Sequence, residues 1–528
     1  MMAFGEMRHE IHYGERVVRA FTDRPRTVDQ MFREAAALAP DQTALVLGEG
    51  RFSYRELDAI VDRVAANFLT GGFAPGDRVA ILLDNSFEFV FAVLGAARAG
   101  LVAVPMNTRQ RRPEIEFVLN QCGATGLIYA AEHLSNLPER ASVPALRDLF
   151  VVGDGPGRSF AELTSDGPRT PLPDVAEDST FCLLYTSGTT GRPKGAMLTH
   201  FSTIHSVIHY QHALELREGD VGVLAVPASH VTGLVAIILT MMRVRGATVM
   251  MPAFKARAFL ELAEREKMNY SLMVPAMYNL CLLAPNFKSF DLSGWRVAGF
   301  GGAPMPQGTI DRLKEALPDL TLVNCYGSTE TTSPATILPL GDIATRPASV
   351  GRPVPCADIV IVDEDGREVA PGESGELLIA GPMVVPGYWD NKEADKASFV
   401  NGYWRSGDVG SIDAEGYVHV FDRKKDMINR AGFKVYCVEV ESVLSHHPAV
   451  VESAVVGRPD SVLGEKVHAF IFSDGRPVDE ASIKSHCAER LSDYKVPDSV
   501  TFLDAPLPRN ANGKILKTSL RDLLPPAS

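Results

Sequence analysis

Short apolar runs alternate with longer stretches of helical spacing through most of the chain. Arg78–Leu83 is typical of a buried strand, Phe87–Ala99 has the spacing of an apolar helix, and Val102–Pro105 predicts the next strand. This alternation indicates parallel β-sheets covered by helices, in more than one α/β subdomain. The same rhythm returns in three later runs: Val221–Val226, Ala247–Met251 and Leu320–Asn324.

The pattern changes after about Thr345, where apolar segments become short and are separated by turn residues. Ile359–Val362 and Gly375–Ile379 lie on either side of the turn-like Asp363–Gly366, which predicts β-hairpins in a small β-barrel. Beyond Asp422 helical and strand patterns mix, and a small α+β domain is expected. Its predicted elements are two helices and two strands: Val438–His446, Ala481–Leu491, Val450–Val456 and Lys466–Phe472.

Composition narrows the class of protein. A chain of 528 residues is too long for a single hydrophobic core, so two or more domains are expected. The 46% hydrophobic and 22% charged content is ordinary for a globular enzyme. A formal net charge of −13 without Lys/Arg-rich runs argues against a nucleic-acid partner. The seven cysteines form no CxxC pair, which favours reduced thiols and a cytoplasmic location.

No signal peptide or integral membrane segment is expected from the pattern. Residues 1–26 are polar and charged, without the apolar core of a signal peptide. The longest apolar run, Val231–Met242, is too short to span a bilayer and is followed by Arg243. Peripheral membrane contact and a homodimer both stay open at this point.

The segment Tyr185–Gly195 carries the clearest chemical signal. It combines three glycines, four Ser/Thr hydroxyls and two cations after the predicted strand Thr180–Leu184, and Met197–Tyr210 has helical spacing. Glycines let backbone N–H groups approach a ligand, hydroxyls donate hydrogen bonds, and Lys194 supplies positive charge, so the loop suits a polyphosphate. It is not a Walker A loop, because the glycine-to-lysine spacing differs.

The order of residues in this loop resembles the phosphate loop of the adenylate-forming superfamily. Acyl- and aryl-CoA synthetases, peptide-synthetase adenylation domains and luciferases belong to it, and the resemblance extends from about Phe52 to about Lys517. It implies ATP, Mg²⁺ and coenzyme A as co-substrates. It also implies a hinge near Asp422, between an N-terminal adenylation domain, 1–421, and a mobile C-terminal α+β domain, 422–528.

Four further motifs carry the resemblance and imply residue roles. The run Asn324–Glu330 follows a predicted strand and would supply Tyr326 against adenine, Thr329 against phosphate and Glu330 against magnesium. The loop after the predicted strand Trp295–Phe300 would line the adenine and acyl pockets. Asp408 would accept hydrogen bonds from the ribose hydroxyls, and Arg423 would contact the nucleotide.

Lys514 follows a glycine near the C-terminus, and the resemblance makes it the lysine that bridges carboxylate and α-phosphate. His230 is a candidate wall of the acyl pocket, although a lone histidine is often structural. Pro227–Thr240 contains no Asp for an amino-acid ammonium. The absence of an Asp disfavours an amino-acid substrate. The small residues Thr232, Gly233 and Ala236 favour a medium- or long-chain fatty acid or an aryl acid.

The resemblance implies the following site residues. The predicted catalytic residues are Lys514, Thr329, Glu330 and His230. The predicted magnesium ligands are Glu330 and Thr190. Predicted acid-binding residues are His230, Thr232, Gly233, Ala236, Gly301 and Gly302. Predicted cofactor-binding residues are Thr186, Ser187, Gly188, Thr189, Thr190, Gly191, Lys194, Gly302, Ala303, Asn324, Tyr326, Gly327, Asp408, Arg423, Lys425, Gly432 and Lys514.

Two departures from the family pattern, Ala431 and Cys437, leave the detailed CoA contacts open. The leading hypothesis is a two-step acid:CoA ligase that forms an acyl-adenylate and then the thioester. The alternative is an adenylating ligase that delivers the acyl group to a separate carrier protein. A luciferase-type oxygenase and a non-catalytic binding protein are less favoured, because no luciferin pocket is indicated and Glu330, Asp408 and Lys514 are all present.

Overall fold

The computed structural model describes most of the chain and shows helices and strands in alternation. The described residues are 5–167, 170–186, 192–473, 475–509 and 515–524. Their strands are β1 Met7–His12, β2 Arg16–Phe21, β3 Thr43–Leu47, β4 Gly50–Ser53, β5 Arg78–Leu82, β6 Val102–Pro105, β7 Gly126–Ala130, β8 Asp148–Val152, β9 Arg158–Ser159, β10 Thr180–Thr186, β11 Lys194–Thr199, β12 Val221–Leu224, β13 Ala247–Met250, β14 Tyr270–Met273, β15 Val297–Phe300, β16 Thr321–Tyr326, β17 Thr336–Ile337, β18 Arg352–Pro353, β19 Asp358–Val362, β20 Gly375–Ala380, β21 Phe399–Val400, β22 Tyr403–Ile412, β23 Val418–Arg423, β24 Ile428–Arg430, β25 Phe433–Val435, β26 Val450–Asp460, β27 Gly464–Ser473 and β28 Ser499–Leu503.

The helices lie between these strands, and none within the described ranges is both long and apolar enough to cross a membrane. A π-helix, Thr232–Leu239, precedes α7. The α-helices are α1 Val28–Leu38, α2 Tyr54–Thr70, α3 Phe87–Arg98, α4 Arg112–Cys122, α5 Ala161–Thr164, α6 His200–Ala213, α7 Thr240–Arg243, α8 Ala256–Arg265, α9 Pro275–Leu282, α10 Gln307–Ala316, α11 Lys392–Ser398, α12 Cys437–Leu444, α13 Glu480–Ala488 and α14 Lys517–Arg521.

Two large sheets carry most of the parallel pairing. The seven-stranded sheet has the order β11-β10-β6-β5-β7-β8-β9, and all neighbours from β10 to β9 are parallel. The nine-stranded sheet has the order β18-β17-β16-β15-β14-β12-β13-β3-β4, and it is parallel from β16 to β3. The predicted α/β class with two parallel-sheet subdomains is therefore confirmed. Antiparallel strands occupy the edges.

Helix α2 illustrates how the sequence specifies these layers. Ser53 caps it, since its hydroxyl accepts from the N–H of Glu56 and the Glu56 carboxylate accepts from the N–H of Ser53. A side chain at Gly95 of α3 would come within 2.3 Å of Val64, so glycine is required where the two helices meet. The buried face of α2 has helical spacing: Leu57, Ile60, Val61, Val64 and Phe68.

The segment after the phosphate loop corrects one expectation. Met197 was predicted to begin a helix, but Lys194–Thr199 forms β11, which returns antiparallel to β10. Ala196 lies opposite Leu184 in this pairing and is buried. Helix α6 begins only at His200, because the Thr199 hydroxyl caps it by accepting from the Ser202 N–H at 3.0 Å. A short apolar run did not distinguish a strand from the first helical turn.

The hairpin-rich region and the C-terminal region each form a five-stranded sheet. The first has the order β19-β20-β22-β21 with β23 beside β22, and the second has the order β25-β24-β27-β26 with β28 beside β27. Helices α12 and α13 cover an apolar core on the C-terminal sheet. The chain divides into two compact units. The first is Met1–Gly301, Leu313–Ile359 and Ile379–Arg405, and the second is Gly302–Arg312, Val360–Leu378 and Ser406–Ser528.

Helix α6 buries a histidine whose cost to stability can be measured. His209 is fully buried, and neither ring nitrogen has a hydrogen-bond partner among the described residues. Burial lowers its pKa well below the usual value, so the ring stays neutral in the fold and protonates on unfolding below pH ~6.5. Because the unfolded state then binds the extra proton, His209 lowers stability as pH falls below that point.

The His209→Leu variant is therefore expected to be more stable than the parent by about 1–3 kcal/mol at pH 7.5, since it removes an unpaired buried polar group. Between pH 6 and pH 5 the free energy of unfolding of the parent should fall more steeply than that of the variant. The difference between the two slopes should be about 1.4 kcal/mol per pH unit, the contribution of one proton bound on unfolding. Urea unfolding at several pH values measures both effects. A loss of stability at pH 7.5 together with an unchanged pH slope would contradict the assignment.

Candidate functional site

The pairing of β10 with β11 fixes the two ends of the phosphate loop. Thr186, the last residue of β10, lies opposite Lys194, the first residue of β11. The hydroxyl of Thr186 and the ammonium of Lys194 therefore belong to adjacent strands at the same end of the hairpin. The predicted loop residues between them lie outside the described residues: Ser187, Gly188, Thr189, Thr190 and Gly191.

The Glu330 carboxylate accepts hydrogen bonds from hydroxyl groups on three separate segments. It lies in the short turn that follows β16 and is 6% exposed. Tyr388 donates to Oε1 at 2.9 Å, Thr186 donates to Oε1 at 3.3 Å, and Ser328 donates to Oε2. The Lys194 ammonium lies 5.0 Å from the centre of the Tyr388 ring. A buried carboxylate surrounded by hydroxyl oxygens offers the hard ligands that Mg²⁺ prefers.

The rest of the Asn324–Glu330 motif lies at the end of β16. Asn324 is buried, and its amide donates to the Ser349 carbonyl at 3.2 Å. Tyr326 is half-buried, and Thr329 is buried. A side chain at Gly327 would come 3.1 Å from the Ala335 nitrogen, so the chain is tightly folded there. The motif thus stands at the carboxyl end of a parallel strand, where ligands bind in open α/β sheets.

The glycine loop follows the neighbouring strand β15. A side chain at Gly301 would come 2.4 Å from the Cys325 carbonyl oxygen, which excludes any larger residue. Gly302 has a φ of 78°, in the left-handed region that favours glycine. Gly302 and Ala303 are both exposed. Their backbone is therefore accessible on the loop that sequence predicted to contact nucleotide and acid.

His230 lies at the start of the π-helix segment and is held uncharged. Its Nδ1 lies 3.1 Å from the Thr232 hydroxyl and 3.3 Å from the Thr232 backbone nitrogen, and burial lowers the pKa of the imidazole, which favours the neutral ring. Gly233 is buried against the Pro227 carbonyl, where a side chain would approach to 2.3 Å. Ala236 is fully buried, and its carbonyl accepts from Tyr270 at 3.1 Å. The segment is therefore apolar, tightly packed and neutral.

In the second unit, β22 and β23 bring Asp408 and Arg423 together. The two residues are directly opposite in the strand pairing, and Arg423 Nε lies 2.7 Å from Asp408 Oδ1. The Asp408 side chain is 6% exposed and that of Arg423 is 39% exposed. Ser406 supports both residues, since its hydroxyl accepts from the Asp408 N–H and its carbonyl accepts from Arg423.

The segment after Asp422 contains both departures from the family pattern, and its contacts explain the one at Cys437. Ala431 has a φ of 52°, in the left-handed region, and Gly432 follows with a φ of 89°. The Cys437 N–H donates to the buried carboxylate of Asp422 at 2.5 Å, a bond that proline could not make. Burial raises the pKa of the Cys437 thiol, which fits the passive role predicted for it. Lys425 is exposed, and Lys514 lies outside the described residues.

Sequence reasoning missed Tyr388. Its hydroxyl contacts Glu330, which lies 58 residues earlier, and no local spacing links the two. Asp395 accepts from the Tyr388 N–H at 2.7 Å, and burial raises the pKa of that carboxyl. The only signal in the sequence is an aromatic pair, Tyr388 and Trp389, after a proline and a glycine, which by itself indicates a turn.

The family models identify the chain. The AMP-binding enzyme model matches residues 32–389, and the AMP-binding enzyme C-terminal domain model matches residues 439–514. The chain therefore belongs to the AMP-binding enzyme family. This result confirms the predicted adenylate-forming superfamily and the predicted enzyme class, the AMP-forming acid–thiol ligases.

Individual relatives match over nearly their whole length. A long-chain-fatty-acid–CoA ligase from Mycobacterium tuberculosis is 36% identical over 94% of this chain and 98% of its own. The crystal structure of an anthranilate CoA ligase in complex with anthranoyl-AMP has a TM-score of 0.88 and 28% identity, covering 94% of this chain and 97% of its own. The o-succinylbenzoate coenzyme A synthetase of Bacillus subtilis, in complex with ATP and magnesium ion, has a TM-score of 0.82 and 30% identity, covering 93% and 99%.

Proposed function

We propose that this protein is an ATP-dependent acid:CoA ligase. It joins a carboxylic acid to the α-phosphate of ATP, releases pyrophosphate, and then transfers the acyl group from AMP to the thiol of CoA. The observation that carries the proposal is the arrangement of Glu330, Thr186 and Lys194 at the end of the β10–β11 hairpin. It combines a buried carboxylate with a cation and a hydroxyl, as Mg-ATP requires.

We assign the following residues to the phosphates, the metal and the adenine. Lys194 and the phosphate loop bind the β- and γ-phosphates, which leave as pyrophosphate. Glu330 and Thr190 hold Mg²⁺, whose charge offsets that of the phosphates when it is bound. Thr329 contacts the α-phosphate, and Tyr326 packs against adenine. The remaining adenine-side positions are Asn324, Gly327, Gly302 and Ala303.

We assign the other residues to the ribose, the reacting carboxylate and CoA. Asp408 accepts hydrogen bonds from the ribose hydroxyls, and Arg423 beside it contacts the nucleotide. Lys514 donates to the carboxylate and the α-phosphate while the negative charge of the transition state develops. Lys425 and Gly432 lie on the segment assigned to CoA. We further propose a hinge near Asp422, so that the domain 422–528 reorients relative to 1–421 between the two half-reactions.

For the acid, we propose a medium- or long-chain fatty acid or an aryl acid. The support is the neutral state of His230 and the small, buried residues Gly233 and Ala236 beside it. No charged group on this segment is available to pair with an amino-acid ammonium or a second carboxylate. A fatty-acid ligase and an anthranilate ligase among the similar proteins agree with both branches of this substrate class.

A panel of acids tests the proposal. Fatty acids of short, medium and long chain, aryl acids and dicarboxylates are each supplied with Mg-ATP, and AMP release is measured with and without CoA. We expect CoA-dependent release with one group of monocarboxylic acids and none with dicarboxylates. Release that ignores CoA but needs an added carrier protein would favour the alternative, a ligase that loads a separate carrier. No release with any acid would refute the function.

We also propose a cytoplasmic location. The seven cysteines are free and buried, as expected for a reducing compartment, and the proposed reaction consumes ATP and CoA.

A further inference from the structure

Tyr388 contacts both charged groups assigned to the phosphates and the metal. Its hydroxyl donates to Glu330 Oε1 at 2.9 Å, and its ring lies 5.0 Å from the Lys194 ammonium. The Tyr388 side chain is only 5% exposed, so both contacts are made inside the protein. One rigid side chain thus sets the position of the carboxylate relative to the cation.

The backbone around Tyr388 is tied to the same two segments. The Trp389 N–H donates to the Gly195 carbonyl at 2.8 Å, next to Lys194, and the Met197 N–H donates to the Gly387 carbonyl at 3.1 Å. The Val385 N–H donates to the backbone carbonyl of Glu330 at 3.0 Å. The segment 384–389 therefore links β11 to the turn that carries Glu330.

Arg16 holds this segment from the other side. Its guanidinium donates to three consecutive carbonyls, those of Val384 at 3.2 Å, Val385 at 3.0 Å and Pro386 at 3.3 Å. Burial lowers the pKa of the guanidinium, which is not paired with a carboxylate in these bonds and lies 5.3 Å from the Tyr13 ring. A planar fork of donors matches three successive carbonyls in a way that an ammonium cannot.

Arg16 belongs to the β1–β2 hairpin, which precedes the residues matched by the AMP-binding model. The same hairpin also contacts the start of α6. The Tyr13 hydroxyl lies 2.8 Å from that of Thr199, the residue that caps the helix, and His12 stacks on Phe201 at 3.6 Å. The hairpin therefore contacts two segments of the site: the start of α6, which follows the strand that begins at Lys194, and the segment 384–386, which directly precedes Tyr388.

We propose that Tyr388 is a positioning residue of the Mg-ATP site and that Arg16 on the N-terminal hairpin fixes the segment that presents it. Tyr388 orients the Glu330 carboxylate and keeps Lys194 beside it before ATP arrives, which spares the cost of ordering both groups on binding. The proposal rests on the proposed function, because it takes Glu330 and Lys194 as the groups that meet Mg²⁺ and phosphate.

The Tyr388→Phe variant tests the role of the hydroxyl, because it keeps the ring under Lys194. We expect the Mg²⁺ concentration for half-maximal pyrophosphate release to rise about 10-fold or more, as for other partners of metal ligands. Thioester formation from preformed acyl-adenylate should stay at the parental rate. Arg16→Met should shift the Mg²⁺ dependence in the same direction by a smaller factor.

Two control variants separate positioning from stability. Tyr54→Phe removes another buried tyrosine hydroxyl, which donates to the Gly246 carbonyl at 2.7 Å, and Val17→Thr changes an exposed position of the same hairpin. Both should keep the parental Mg²⁺ dependence. If Tyr388→Phe and Arg16→Met lower the melting temperature but leave the Mg²⁺ dependence unchanged, their role is structural and the proposal is wrong.

Calorimetric titration of Mg-ATP into the parent and each variant tests the positioning without turnover. Weaker Mg-ATP binding by Tyr388→Phe supports the positioning role even if no acid in the panel is activated. The absence of acid activation would refute the proposed function alone. Equal Mg-ATP affinity in the parent and Tyr388→Phe would overturn the positioning role while leaving the proposed function in place.

Discussion

The Lys514→Ala variant is expected to lose adenylate formation while it keeps thioester formation from preformed acyl-adenylate. A cation aimed at the developing charge of the transition state contributes about 10²–10³-fold or more to the rate, and the second step needs no such bridge. Acid-dependent pyrophosphate release should therefore fall by at least that factor. Stopped-flow or quenched assays of the two half-reactions measure the two rates separately.

The matched control is Lys288→Ala, which removes a lysine that is 78% exposed and only loosely paired with Glu315 at 3.8 Å. It should leave both half-reactions at the parental rate. An equal loss of both steps in Lys514→Ala would show that the lysine acts by holding the domain together rather than by contacting the reacting groups. A parental rate of adenylation would remove Lys514 from the site altogether.

The sequence was sufficient for most of the fold because its pattern is local. The run Val102–Pro105 was placed with its observed bounds, and the strand predicted at Trp295–Phe300 is observed as Val297–Phe300. Each is short, apolar and bounded by turn or helix signals, as buried parallel strands are. Motifs that follow such strands could then be placed at the carboxyl edge of the sheet, where Glu330 is observed.

The parts that the sequence could not supply depend on long-range pairing. Lys194–Thr199 has an apolar content that suits either a strand or a helix, and only its pairing with β10 decides for the strand. Tyr388 acquires its meaning from a bond to Glu330, and Arg16 from three carbonyls more than 360 residues away. No periodicity encodes such contacts, so the site was predicted as separate motifs without the side chains that connect them.

Glu330 should show the second large effect. The Glu330→Gln variant keeps the size of the side chain and a carbonyl oxygen that can accept from Tyr388 and Thr186, so the fold should survive. It loses the negative charge that a hard cation requires. Because a bound metal contributes several kcal/mol to such reactions, we expect pyrophosphate release to fall by about 10²–10³-fold. Rates measured across a range of Mg²⁺ concentrations should show a loss that saturating metal does not restore.

Glu315→Gln, which neutralises a carboxylate that is 78% exposed, is the control and should behave like the parent. A parental rate of pyrophosphate release in Glu330→Gln across the whole range of Mg²⁺ concentrations would exclude this carboxylate as a metal ligand. The double variant Glu330→Gln with Tyr388→Phe tests whether Tyr388 acts through the Glu330 carboxylate. Since Tyr388 acts through the Glu330 carboxylate, its loss should cost little once that charge is gone, so the two effects should not add. Additive losses would instead place Tyr388 in direct contact with a substrate group.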